Sequence, residues 1–345
     1  MNARAFQRRY DNLRKMVDAR LASAVRDRDP RELHNACRYV LTGGGKRIRA
    51  VLVMLSCEAT GGRAERALEA ATAVEMLHNF TLVHDDIMDN AAERRGRPTV
   101  HRRWGVNGAL LVGDVLIGLA LQDLMRVRTE RAAEVAALLA RGHIDVCEGQ
   151  ALDLQYERRR RVTVREYFRM IERKTGRLFS TAVAIGGVLG GGTAREIAAL
   201  TAYGKHLGRA FQLQDDLLDV VGDRTRFGKT IGGDIVEGKK TFLLLTAAQR
   251  TRGADRRMLE AILRRSAAER ASPLRTPMSA RASARDRAKI AAVTAIYARS
   301  GVLNDARRLI RQESARAQAA LAGLRSSTAR SMLGWLADQL AERGA

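Results

Sequence analysis

The sequence predicts an all-α fold, a single-domain helical bundle, and three observations carry that expectation. Only four prolines occur in 345 residues (Pro30, Pro98, Pro273 and Pro277), so none interrupts the stretch from Thr99 to Ser272. Ala, Leu, Arg and Glu dominate long runs in which apolar residues recur three and four positions apart, the period of a helix with one buried face. Aromatic residues make up 4% of the chain, too few for the aromatic and β-branched alternation of sheets.

The elements follow in order. Near the N-terminus, Phe6, Tyr10, Leu13, Met16 and Val17 line one side of an amphipathic helix. Glycines at Gly43 to Gly45 and at Gly61-Gly62 mark the next breaks, and the stretch from Glu93 to Pro98 marks another. Thr163 with Glu166, and Thr193 with Glu196, form capping-box patterns ahead of apolar-periodic runs, and Gly190 to Gly192 close the helix between them. A further break spans Gly222 to Gly238. Residues 266–286, rich in Ser, Arg, Ala and Pro, predict a long mobile loop inside one domain of residues 1–345. Helical periodicity continues on both sides of it, about a dozen helices in all, and ends in a pair or a bent helix from roughly Leu303 to Arg343.

Composition narrows the function classes. Cys37, Cys57 and Cys147 lie far apart, so neither a disulfide framework nor a structural zinc site is predicted, and a reducing cytoplasm suits them. No apolar run reaches the roughly 20 residues that span a bilayer, so no transmembrane segment is expected. The formal net charge of +23 favours anionic partners. Its arginines are spread along the chain without interleaved aromatics, which argues against a nucleic-acid partner.

Two acidic motifs carry the chemistry. Asp85-Asp86-Ile87-Met88-Asp89 and Asp215-Asp216-Leu217-Leu218-Asp219 both spell DDxxD within apolar-periodic segments. Positions i and i+4 of a helix sit about 40° apart, so Asp85 shares a face with Asp89, and Asp215 with Asp219. Each helix then offers a carboxylate clamp suited to Mg²⁺, a hard cation that takes oxygen ligands and binds carboxylates together with substrate phosphates. One such motif is common on solvated faces; two beside apolar neighbours are not, because buried carboxylates without cations are unfavourable.

Extending the first helix backwards places Val74, His78 and Thr81 on the face of Asp85, a wall with a charged end and a small-residue end. Gly43-Gly44-Gly45-Lys46-Arg47-Ile48-Arg49 is a glycine turn leading into a helix that begins with three basic residues, an arrangement suited to a diphosphate. Arg94-Arg95-Gly96 follows the first motif, and Lys229 and Lys239-Lys240 follow the second. These cations lie just beyond the two acidic helices and are candidate phosphate grips.

From Gly44 to about Gly301 the chain resembles the trans-isoprenyl diphosphate (polyprenyl) synthases, geranylgeranyl and farnesyl diphosphate synthases among them. The matches run in the family's order: Gly44-Gly45-Lys46-Arg47-Ile48-Arg49, then His78, then Asp85 to Asp89 with Arg94-Arg95-Gly96. Gln150 with Asp153, Lys174-Thr175-Gly176, Gln212 to Asp219, Gly228-Lys229 and Glu237-Gly238-Lys239 complete the set. Ala50 and Phe242 stand where the family usually has proline, at structural positions.

That resemblance implies a helical bundle of the isoprenoid synthase type around a central cavity, and a homodimer. It implies a prenyl transferase that joins isopentenyl diphosphate to an allylic diphosphate. Asp85 and Asp89 would hold two Mg²⁺ ions and Asp215 a third, with Asp86, Asp216 and Asp219 supporting the metal shell. Isopentenyl diphosphate would be held by Lys46, Arg49, His78 and Arg95, and the allylic diphosphate by Arg94, Lys174, Lys229 and Lys239. Lys174, Thr175 and Gln212 are the implied catalytic residues, with Gln150, Asp153 and Asp216 behind them. Phe80, an aromatic five residues before the first motif, and the small Thr81 would set chain length, most nearly in the pattern of geranylgeranyl diphosphate producers. Farnesyl or longer products are the alternatives. A class I terpene cyclase and a non-catalytic subunit are remoter readings, since both motifs and the Gly44 to Arg49 segment are intact.

Overall fold

The computed structural model describes residues 3–25, 29–222, 232–271 and 284–341, with the side chains of 265–271 left aside. Fifteen α-helices lie among the described residues, somewhat more than the dozen expected. They are α1 (Ala3–Ala24), α2 (Arg31–Leu41), α3 (Ile48–Ala59), α4 (Leu68–Met88), α5 (Val100–Leu124), α6 (Ala132–Arg158), α7 (Val164–Ile171), α8 (Arg177–Leu189) and α9 (Ala194–Val221), followed by α10 (Gly233–Glu237), α11 (Phe242–Arg250), α12 (Gly253–Ala271), α13 (Ala284–Arg299), α14 (Val302–Ala320) and α15 (Thr328–Ala341). The only sheet among the described residues is a hairpin in which Glu93-Arg94 pairs with Arg97-Pro98.

The sequence accounts for most of these boundaries. Thr163 and Thr193 each accept from the N–H three residues on while Glu166 and Glu196 reach back, so both capping boxes form. Helices α3 and α8 are apolar almost all round and sit in the middle, against each other and against α4 and α9. They cross closely: a Cβ on Gly186 would stand 2.2 Å from the Val53 carbonyl oxygen. Two apolar clusters result. One joins α1 to α5, α8 and α15; the other joins α7, the end of α9, α11, α13 and α14.

Two expectations change. The predicted 266–286 loop begins and ends in helix, since α12 runs to Ala271 and α13 starts at Ala284; residues 272–283 lie outside the described residues. The helix after the glycine turn starts at Ile48, so Lys46 and Arg47 precede it instead of opening it. By length and composition alone helix α5 could cross a membrane, with 28% of its most apolar window buried, and the non-helical Gly105 (φ 75°) kinks it near its start. It packs along α4 on one side and leaves Val106, Leu110, Leu111 and Leu121 exposed on the other.

The fold also brings both acidic motifs to helix C-termini. Asp85 lies in the last turn of α4 and Asp89 caps it, while Asp215 and Asp219 occupy the last two turns of α9. Neither last turn carries a basic residue. Carboxylates there oppose the helix dipole, an arrangement that helix stability alone would disfavour.

Candidate active site

The acids of α4 divide by side. Asp85 is partly buried, and burial pushes its carboxyl up to about 6, with Lys174 working against the shift and Asp89 adding to it. Asp86 points about 100° away. It is buried and gripped by Arg94, whose Nε lies 2.9 and 2.8 Å from its two carboxylate oxygens. Asp86 is therefore engaged by Arg94 in this state, not offered to a cation, and the same bonds occupy one edge of the Arg94 guanidinium. His78 and Thr81 follow Asp85 down the face as predicted, the Thr81 hydroxyl donating to the His78 carbonyl at 2.8 Å.

On α9, Asp215 is exposed and Asp216 is buried. Asp216 accepts from Tyr167 Oη at 2.6 Å and from Gln212 Nε2 at 2.9 Å. Burial pushes it up to about 7, with the Asp234 charge adding and the two donors resisting. Asp219 is pushed up to about 8 by burial and by Asp234, although the Asp234 N–H donates to it at 3.0 Å. Tyr167 and Asp234 are absent from the sequence-predicted set. Asp234 lies in the glycine-rich 222–238 stretch, which was its only signal; Tyr167 had none, since its partner is 49 residues away.

Between α7 and α8 the chain makes a five-residue π-helical turn, Glu172–Gly176. This wide turn carries Lys174 and Thr175. The Lys174 ammonium lies 2.6 Å from Asp153, and the Thr175 hydroxyl donates to Gln212 Oε1 at 2.8 Å. Thr175, Gln212, Asp216 and Tyr167 thus form one hydrogen-bonded relay that fixes the Gln212 amide orientation. Gln150 behaves differently: its Nε2 reaches Met88 Sδ at 4.0 Å, and its buried Oε1 has no partner among the described residues.

The basic wall is sorted by the backbone. Arg47 adopts φ 51°, which turns its side chain inward, where it pairs with Asp18 at 2.8 Å and Glu75 at 3.1 Å. It ties the loop to α1 and α4. Arg49 instead donates from Nη1 to His78 Nε2 at 3.1 Å and stacks 4.6 Å from the Phe179 ring. A guanidinium has no acceptor, so Nε2 must carry the lone pair and His78 is neutral. Burial drives its pKa well below the usual imidazole range, with Arg49 and Arg95 adding to the effect. Burial likewise lowers Arg49 to about 10, against the pull of Glu75 and Asp215. Arg95 donates to the Gly44 carbonyl and lies flat against Gly45, where a Cβ would stand 3.0 Å from the guanidinium carbon. Gly45 has φ 132°, a conformation that calls for glycine, and its lack of a Cβ lets the Arg95 guanidinium lie against it. The glycine turn thus seats Arg95 beside Lys46 rather than binding through a helix N-terminus.

The α9 acids, the wide turn and Asp234, Lys239 and Lys240 line a cavity of about 330 Å³ together with Lys46; Asp85, Asp89, His78, Arg49, Arg94 and Arg95 are not among its lining residues. Its polar lining includes Lys46, Asp153, Lys174, Thr175, Gln212, Asp215, Asp219, Asp234 and Lys239, with Met170, Ile171 and Leu218 as apolar wall. Lys239 faces Asp234 at 3.7 Å, and that charge holds its ammonium well above the usual range. Lys240 donates to the Glu157 carbonyl at 2.7 Å and anchors the loop. Lys229 lies outside the described residues. Phe80 is buried, its ring 4.6 Å from His84 and 5.3 Å from His143.

The carboxylates suit a hard cation. They are all-oxygen donors: Asp216 is buried, Asp85, Asp89 and Asp219 are partly buried, and Asp215 is exposed. Among the described residues no three ligating side chains already converge on one point. A cation would therefore complete its shell with water or substrate oxygens, as Mg²⁺ does.

Comparison with known proteins bears on the family and the fold. A family model described as Polyprenyl synthetase matches residues 30–275. The short chain isoprenyl diphosphate synthase of Methanothermobacter thermautotrophicus is 44% identical over 257 residues, covering 73% of this chain and 79% of its own. The geranylgeranyl diphosphate synthase of Methanosarcina mazei is 42% identical over 236 residues, covering 68% and 73%. The crystal structure of geranylgeranyl pyrophosphate synthetase from Pyrococcus horikoshii superimposes with a TM-score of 0.87 at 34% identity, covering 98% of each chain. With the fold, the two acidic helices and the ordered motifs all in agreement, the chain belongs to the polyprenyl synthetase family.

Proposed function

We propose that this protein is a trans-prenyl diphosphate synthase that condenses isopentenyl diphosphate with an allylic diphosphate and releases diphosphate. The observation that carries the proposal is the pair of carboxylate clamps at the C-terminal ends of α4 and α9, the second of which lines a cavity together with Lys46, Lys174 and Lys239.

Asp85 and Asp89 would hold two Mg²⁺ ions and Asp215, with Asp219 behind it, a third. Bound there, Mg²⁺ supplies neutralisation of the leaving diphosphate. Lys174 and Lys239 add fixed positive charge to the allylic diphosphate, with Arg94 contributing the guanidinium edge that Asp86 leaves open. The Thr175 hydroxyl donates its hydrogen bond to Gln212 Oε1, so its oxygen lone pairs remain for the allylic cation that forms as the C–O bond breaks. Met170, Ile171 and Leu218 keep water from that cation. Lys46, Arg49, His78 and Arg95 orient isopentenyl diphosphate, whose double bond forms the new C–C bond. The C2 proton then leaves to the released diphosphate, restoring an allylic double bond without a protein base.

The names of the relatives and the aromatic layer at Phe80 support geranylgeranyl diphosphate as the main product. The exposed apolar face of α5 supports a homodimer in which a second copy covers Val106, Leu110 and Leu111. Free cysteines support work in a reducing cytoplasm, and all of this is assigned to one domain of residues 1–345. Incubation with isopentenyl and farnesyl diphosphates, with and without Mg²⁺, tests the proposal. Mg²⁺-dependent diphosphate release with a C20 product by mass spectrometry is expected; no condensation under any divalent cation would overturn it.

A further inference from the structure

The wide turn Glu172–Gly176 holds two of the residues closest to the chemistry, and π-helical turns persist only where their surroundings over-determine them. Two contacts grip it from inside the bundle. A Cβ on Gly149 of α6 would stand 2.2 Å from the Lys174 nitrogen, and one on Gly208 of α9 would stand 2.5 Å from the Gly176 Cα. Backbone therefore touches backbone on both sides.

A third contact lies on the side away from the cavity. Glu172 Oε1 accepts from the Lys205 ammonium at 3.0 Å, and Oε2 from Arg209 Nη2 at 2.5 Å. Lys205 and Arg209 are i and i+4 on α9, so one helix face presents both cations to one carboxylate. The same helix carries Gln212 and Asp215 further along. Arg209 also lies 3.9 Å from the buried Glu313 of α14, which accepts from His206 Nδ1 at 2.7 Å. The fork is thus braced from behind. If the turn relaxed to ordinary α geometry, the residues after Glu172 would shift by one position, about 100° around the axis. Lys174 would leave Asp153, and Thr175 would leave Gln212.

We infer that Lys205 and Arg209, acting through Glu172, are positioning residues that lock the wide turn in the register pointing Lys174 and Thr175 into the cavity. The inference rests on the function proposed above. It assigns to three side chains outside the cavity a specific effect on the allylic half of the reaction.

A double-mutant cycle with Glu172→Ala, Arg209→Ala and the double variant tests it, with Lys205→Ala in case loss of the Glu313 contact unfolds the Arg209 variant. For Glu172→Ala the expected result is kcat lower by about tenfold or more and a raised KM for the allylic diphosphate. KM for isopentenyl diphosphate should stay unchanged, because Arg49 and His78 lie on other elements. The double variant should be within about twofold of the worse single, since both remove one interaction. Arg209→Lys should recover much of the activity. Amide hydrogen exchange across 172–176 should quicken in Glu172→Ala while the α3 core stays protected. Wild-type kinetics in Glu172→Ala, effects that multiply in the double variant, equal increases in both KM values, or unchanged exchange in the turn would each overturn the lock. If the wild-type protein fails to condense the two substrates, the function is refuted and the exchange measurement alone decides whether the fork holds the turn.

Discussion

Tyr167→Phe isolates one bond of the relay behind the cavity. The hydroxyl donates to Asp216 at 2.6 Å, both groups are buried, and the ring itself is kept by the substitution. At about pH 8.5, where Asp216 is mainly ionised, a hydrogen bond to its charged carboxylate contributes about 1.5 to 3 kcal/mol, and its loss leaves Asp216 with one donor fewer in a desolvated place. An unfolding entropy of about 2.1 cal/mol/K per residue gives about 0.7 kcal/mol/K for this chain, so Tm should fall by about 2 to 4 °C. Activity should fall further than stability suggests. Asp216 also holds Gln212 Nε2, which in turn fixes the oxygen that accepts from Thr175. With Asp216 free to shift, kcat should drop about tenfold, the size of effect typical of losing outer support behind a reactive group. Tyr203→Phe is the control: its hydroxyl is as buried but donates to the Leu333 carbonyl at 2.8 Å, outside the cavity lining. It should lower Tm by about 1 to 2 °C, for a neutral acceptor, and leave kcat unchanged. Thermal scanning and a diphosphate-release assay give both numbers. Equal kcat in wild type and Tyr167→Phe would mean that the relay is structural only; an unchanged Tm would mean that the bond is not formed in solution.

Three further outcomes are expected. Asp85→Asn and Asp215→Asn should each lower kcat by about a hundredfold or more while far-UV circular dichroism is unchanged, and Mg²⁺ should raise their Tm less than it raises that of wild type; near-normal condensation in either would remove the metal assignment. Thr81→Phe should shorten the main product and Phe80→Ala lengthen it, read by mass spectrometry, and unchanged distributions in both would place the floor of the chain pocket elsewhere. His78, whose folded pKa is depressed, binds its proton more readily when unfolded, so its share of stability is full above about pH 6.5 and declines as pH falls from there towards the folded value. The difference in Tm between wild type and His78→Asn should therefore shrink between about pH 7 and pH 5, and a difference that grows on acidification would show that His78 is charged in the fold.

What the sequence determined by itself was everything set by spacing along one helix. The i and i+4 carboxylates of each DDxxD motif, the alignment of His78 and Thr81 with Asp85, and the two capping boxes depend only on 3.6 residues per turn and on local hydrogen bonding. Those features are where the structure and the periodicity agree.

Tertiary structure alone decided which of several adjacent charges does what. Lys46, Arg47 and Arg49 look alike as a basic run. The left-handed φ of Arg47 sends it to Asp18 and Glu75, and the helical turn that follows sends Arg49 to His78. Asp85 and Asp86 are neighbours in the chain, yet Arg94 takes Asp86 and Asp85 is left to the Lys174 charge. Tyr167 with Asp216, Asp234 with Asp219, and the Glu172 fork join residues whose pairing has no local signature. Periodicity reports which face of a helix is buried. It is silent on which helix lies opposite, and a buried charge is stabilised only by whatever that opposing helix presents.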